Sequence, residues 1–88
     1  MEYETDNWGN KFTKLNGKLH SFNDEPARVY PHGDIYWYRD GERHRDNDMP
    51  AVVLSNESKF WYQNGKLHRD NDLSAVIYPD WYSGMVPK

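Results

Sequence analysis

The chain has no cysteine, and no run of apolar residues approaches the roughly 20 that a membrane-spanning helix needs. The first absence excludes disulfide staples, thiolate metal sites and cysteine nucleophiles, and it fits a reducing compartment. The second removes the transmembrane reading, and no apolar segment resembles a signal-peptide core, so the expected location is the cytoplasm and no membrane partner is expected. A dominant charge is also lacking. Lys and Arg number 11 against 14 Asp and Glu, for a formal charge of -3, with both signs interspersed, which disfavours nucleic acid as a partner. No stretch sustains an apolar 3.6-residue period over three turns, so helix is not expected.

The usual signatures of catalysis are missing as well. There is no G-x-S-x-G elbow, no H-E-x-x-H helix and no glycine loop able to cradle phosphate. Ser21, Ser55, Ser58, Ser74 and Ser83 stand in no nucleophile context. Neighbouring His and Asp alone do not specify a reaction. The chain is therefore read as non-enzymatic and without a cofactor.

What remains is rich in aromatics: 4 Trp, 7 Tyr and 3 Phe in 88 residues. In a short chain with a thin core these rings must supply most of the apolar burial, and they argue for a folded domain. Shifting the sequence by 24 residues superposes Asn16-Gly17, Asp40-Gly41 and Asn64-Gly65, together with His20, His44 and His68. Residues 1–88 thus read as a single domain of about three tandem repeats, near 12–35, 36–59 and 60–83. The second and third agree most closely, YWYRDGERHRDNDMPAVV against FWYQNGKLHRDNDLSAVI, whereas the first has Thr13 and Lys14 in place of Trp and Tyr.

Asn-Gly or Asp-Gly between β-rich residues signals a two-residue type I′ hairpin, because both central residues take positive φ. Counting outward from Asp40-Gly41 sets Tyr38 opposite Arg43, Trp37 opposite His44 and Tyr36 opposite Arg45. Alternation then gives one face Trp37 with His44 and the other Tyr36, Tyr38, Arg43 and Arg45. In the third unit Trp61 faces His68, and Phe60, Tyr62, Leu67 and Arg69 share the opposite side. The Asx-rich stretches Asp46-Asn47-Asp48 and Asp70-Asn71-Asp72 reverse the chain, further strands follow at 51–54 and 75–78, and Trp81 to Met85 complete the fold as a last strand or a cap. The expected architecture is all-β, an elongated antiparallel meander of hairpin repeats.

Two faces are candidate sites. Tyr36, Tyr38, Arg43, Arg45, Tyr62 and Arg69 form a partner-binding face, since Tyr and Arg predominate at binding hot spots. Trp37, His44, Trp61 and His68 could stack a nucleotide-like or other anionic ligand, or simply pack across strands. The paired aspartates lack the glycine and the bidentate glutamate of an EF-hand, and the histidines fall on successive hairpins, so no metal is expected. A second copy of the chain is a further candidate partner, because the exposed edges of a repeat sheet can pair.

The segments YWYRDGERHRDNDMPAV and WYQNGKLHRDNDLSAV resemble a degenerate MORN-like repeat, W-Y-x-N-G-x-x-H-R followed by P-A-V, of the kind found in small phage and large DNA virus proteins. The resemblance covers residues 12 to 78. It implies a thin β-meander used as an interaction scaffold with no catalytic residues, and a role in binding and inhibiting a host protein such as a defence component.

Overall fold

Three kinds of turn, repeated along the chain, set the architecture seen in a computed structural model, which describes residues 2–79. The Asn-Gly and Asp-Gly pairs take positive φ at both positions, from Asn16 (52°) and Gly17 (79°) to Asn64 (51°) and Gly65 (82°), as type I′ hairpins require. The Asx stretches make a second such turn, with Asn23 and Asp24, Asn47 and Asp48, and Asn71 and Asp72 all at φ between 55° and 64°. A third turn closes at Asp6–Asn10, Tyr30–Asp34 and Leu54–Ser58, where Gly9, Gly33 and Glu57 hold the positive φ.

Between these turns lie twelve short strands: β1 (Glu2–Thr5), β2 (Lys11–Leu15), β3 (Lys18–Leu19), β4 (Arg28–Val29), β5 (Ile35–Tyr36), β6 (Tyr38–Arg39), β7 (Glu42–Arg43), β8 (Val52–Val53), β9 (Lys59–Phe60), β10 (Tyr62–Gln63), β11 (Lys66–Leu67) and β12 (Val76–Ile77). No helix occurs among the described residues. The fold is an all-β antiparallel meander, its main sheet running β1-β2-β4-β5-β8-β9-β12. The hairpins β6-β7 and β10-β11 stand off it as separate ladders, while β3 pairs with β2. The molecule measures 45 × 32 × 17 Å, the short dimension being that of a thin layered structure.

The residue at which each hairpin leaves the sheet serves two ladders. The Trp37 amide donates to the Ala51 carbonyl, while the Trp37 carbonyl accepts from the His44 amide. Thr13 and Trp61 do the same, with Ala27 and His20 and with Ala75 and His68. This corrects the expected register. Tyr38 does pair with Arg43 and Trp37 with His44, but Tyr36 does not face Arg45. Tyr36 is in the main sheet between Arg28 and Val52, because the strand has changed partners at Trp37. The N-terminal β1 was not expected; it pairs with β2 from Glu2 to Thr5. The segment from Trp81 to Met85 lies outside the described residues.

The core follows the same hinge row. Ala27 and Ala51 are completely buried and Trp37 and Trp61 are each 5% exposed. Extending the registers Phe12↔Arg28, Arg28↔Tyr36, Tyr36↔Val52, Val52↔Phe60 and Val76↔Phe60 by one residue sets Thr13, Ala27, Trp37, Ala51, Trp61 and Ala75 side by side across the sheet. Each indole is thus flanked by small residues, an alternation of large and small side chains along a one-row core.

Candidate functional site

Two sets of side chains matter, and they lie on different surfaces. The first joins each unit to the next. Arg45 lies 3.7 Å from the Trp37 ring centroid and Arg69 3.9 Å from that of Trp61. Each guanidinium then makes a two-pronged bond to an aspartate of the preceding unit: Arg45 to Asp24 at 2.9 and 3.1 Å, Arg69 to Asp48 at 2.8 and 3.1 Å. The indole N–H groups of Trp37 and Trp61 donate to the carbonyls of the same aspartates, both at 3.0 Å. One Asp therefore receives both the Trp and the Arg of its successor.

The histidines complete the junction. The turn amides of Asp40 and Asn64 donate to Nδ1 of His20 and His44, at 3.2 and 3.1 Å. Gly41 and Gly65 donate to the carbonyls of Leu19 and Arg43. Because His44 accepts at Nδ1, its neutral ring carries the proton on Nε2, which donates to Asp46 at 2.8 Å. These contacts give His44, and with it Trp37 and Trp61, a packing role. Arg45 covers the ring face that a flat ligand at Trp37 would need. A cavity of about 260 Å³ beside it is rimmed by Asp24 and Asp46 as well as Arg39 and His44, a mixed lining that does not single out an anion.

Arg45 and Arg69, expected on the Tyr face, are thus on the Trp face. The cause is the change of ladder at Trp37 and Trp61, beyond which strict alternation no longer holds. Tyr38 is only 9% exposed, so it belongs to the packed interior more than to a contact surface.

The second set is a stripe of half-buried rings and guanidinium planes. Arg43 lies over Tyr36 (5.2 Å) and Tyr62 (5.3 Å), and donates to the Tyr62 hydroxyl at 3.3 Å. Arg28, which sequence reasoning passed over, lies over Phe12 (5.4 Å) and Tyr30 (4.8 Å). Tyr30 meets Tyr36 edge-on at 5.8 Å, joining the two clusters. Burial raises the Tyr36 phenol above its ordinary pKa, with Asp34 adding to the effect. The Arg28 Nε is buried and has no hydrogen-bond partner among the described residues. A signal for this stripe was present: where the second unit has Arg43 the others have Leu19 and Leu67, and where the first has Arg28 the others have Val52 and Val76. Both arginines break the repeat, so its own packing does not require them.

The junction has a pH signature. Asp24 and Asp48 are held below the ordinary aspartate pKa by hydrogen bonds from Arg45 and Arg69, and secondarily by their charge. A depressed native pKa contributes stability that is present above the unfolded-state value of about 3.9 and is lost as pH falls through the native value. Melting temperature should therefore fall below about pH 4, and the double variant Asp24→Asn/Asp48→Asn should melt lower at pH 7 but lose less on acidification. Equal acid sensitivity in the two proteins, followed by circular dichroism, would remove these pairs as its source. The chain matches no protein-family model, no curated protein and no solved structure.

Proposed function

We propose that the protein is a non-enzymatic binding module whose partner is another protein, engaged through the stripe formed by Phe12, Arg28, Tyr30, Tyr36, Arg43 and Tyr62. The observation that carries this reading is that Arg28 and Arg43 are each held between two aromatic rings at positions where the other units have aliphatic residues. A guanidinium stacked in this way keeps its fork of N–H donors in a fixed plane at little further entropic cost on binding. Tyr rings beside it add rigid, amphipathic area, the composition enriched at hot spots. Such a surface suits carboxylates and backbone carbonyls set among apolar side chains. Together with the MORN-like resemblance, this supports a small viral-type protein that binds and inhibits a host protein.

Affinity capture from a bacterial lysate, comparing the wild-type chain with Arg28→Ala/Arg43→Ala, tests the reading. One saturable protein partner is expected, with affinity reduced about thirtyfold or more in the variant, as for a hot-spot loss of ~2 kcal/mol. Circular dichroism should show the variant folded, since neither guanidinium belongs to the Trp, Arg and Asp junctions and the Arg43 carbonyl that accepts from Gly65 is kept by alanine. A partner retained equally by both proteins would remove the stripe from the binding surface.

A further inference from the structure

The junction described above occurs twice, and its acceptor half occurs a third time. In the third unit, Asp72 corresponds to Asp24 and Asp48, His68 to His20 and His44, and Leu67 to Leu19 and Arg43. Asp72 keeps the same backbone, φ 57° against 59° and 55°. His68 repeats the internal bond, Nε2 to Asp70 at 2.7 Å. Yet among the described residues no Trp, Arg or turn amide reaches this set, and the Asp72 carboxylate and His68 Nδ1 have no hydrogen-bond partner. The His68 side chain is 54% exposed where that of His44 is 4%. Leu67, Leu73 and Ile77 of the same unit are exposed.

We propose that this end of the third unit is a docking socket for a β-hairpin of a partner protein, one carrying a tryptophan and an arginine eight residues apart. The molecule itself supplies the precedent. Trp37 with Arg45 and Trp61 with Arg69 have that spacing, and each pair enters the corresponding set on the unit before it. The socket offers only acceptors: a carboxylate, the Asp72 and Leu67 carbonyls and an imidazole nitrogen. Its occupant must therefore bring donors, namely an indole N–H, a guanidinium and two successive amides of a type I′ turn.

The 24-residue repeat does not supply that occupant, because the position 24 beyond Trp61 is Met85. A second copy does not provide it through its first unit either, since Thr13 and Ser21 stand where the Trp and Arg would be. The aspartate itself is informative. The second position of a type I′ turn favours glycine, and an aspartate there adopts a conformation that costs a side-chain-bearing residue energy. At Asp24 and Asp48 the junction offsets this cost; Asp72 carries it with no such return inside the described fold.

The test uses the full isotope-labelled chain and a synthetic hairpin of the sequence 60–73 closed by a terminal disulfide. Saturable NMR shifts at Leu67, His68 and Asp72 are expected. Asp72→Asn in the protein, or Arg69→Ala in the peptide, should each weaken binding about tenfold or more. A second measurement needs no peptide. In a chain with residues 55–78 duplicated in tandem, Asp72→Asn should lower the melting temperature as Asp48→Asn does, while in the natural chain it should leave it unchanged. Absence of binding, shifts away from the third unit, or a silent Asp72 in the extended chain would each overturn the proposal. Self-association of the unliganded chain that Asp72→Asn abolishes would overturn it too, by assigning the socket to a second copy.

Discussion

Trp37→Ala is expected to destabilise the fold by about 3–5 kcal/mol, the usual range for removing a buried tryptophan. A domain of this size has roughly 4–13 kcal/mol in total, so a large share of the molecules should be unfolded or frayed at 37 °C. The cost combines several losses at one position. The ring is 5% exposed, its N–H satisfies the Asp24 carbonyl, and its face carries the Arg45 guanidinium. Alanine preserves the backbone bonds to Ala51 and His44 but leaves Asp24 without one donor and Arg45 without its platform. Trp37→Phe should keep much of the packing and lose about 1 kcal/mol for the indole hydrogen bond. Trp61→Ala removes an equally buried ring nearer the end of the array. In a fold where each unit contacts only its neighbours, that change should fray the third unit while leaving the first two joined. Chemical denaturation followed by circular dichroism measures the total, and amide exchange resolves which units open. A Trp37→Ala loss below about 1 kcal/mol would refute the junction as the main source of cohesion.

The parts of this fold legible in the sequence are those set by local chemistry. Asn16-Gly17, Asp40-Gly41 and Asn64-Gly65 announce their turns because few other residues tolerate two successive positive φ values. Pairing immediately around the turn follows by counting, which is why Tyr38 with Arg43 was readable. Counting fails at Trp37, where hydrogen bonding passes from one ladder to another, and nothing local to Tyr36-Trp37 marks that change. For this reason counting from the turn puts Arg45 and Arg69 on the wrong face. Their partners Asp24 and Asp48 are 21 residues away, and each aspartate also forms a turn, a role that explains its presence by itself. A usable signal existed: the Trp and Arg pair appears in the units that have a predecessor and is replaced by Thr13 and Ser21 in the one that does not. For β1 the signal was Gly9, which repeats Gly33 at the same 24-residue step.

Ala51→Leu is expected to be nearly as damaging, at about 3 kcal/mol, the upper part of the range for overpacking a filled core. Ala51 is completely buried, and the registers place it directly between Trp37 and Trp61 in the hinge row. A residue opposite a neighbour in an antiparallel pair has its Cβ only ~4.5–5.5 Å from that neighbour's. A leucine side chain would thus meet an indole on each side, with no exposed direction in which to turn. This gives the alanine of the Pro-Ala-Val motif a physical reason: it is the small member of an alternating row. The chain shows the reverse arrangement at its N-terminal end, where Tyr3 stands opposite Thr13 and the large residue comes from the other strand. Ala51→Leu combined with Trp61→Val should therefore cost less than the sum of the two single changes, because each relieves the volume error of the other. A double-mutant cycle by urea denaturation measures that coupling, and strictly additive losses would show that the alternation of sizes is not what holds the row together.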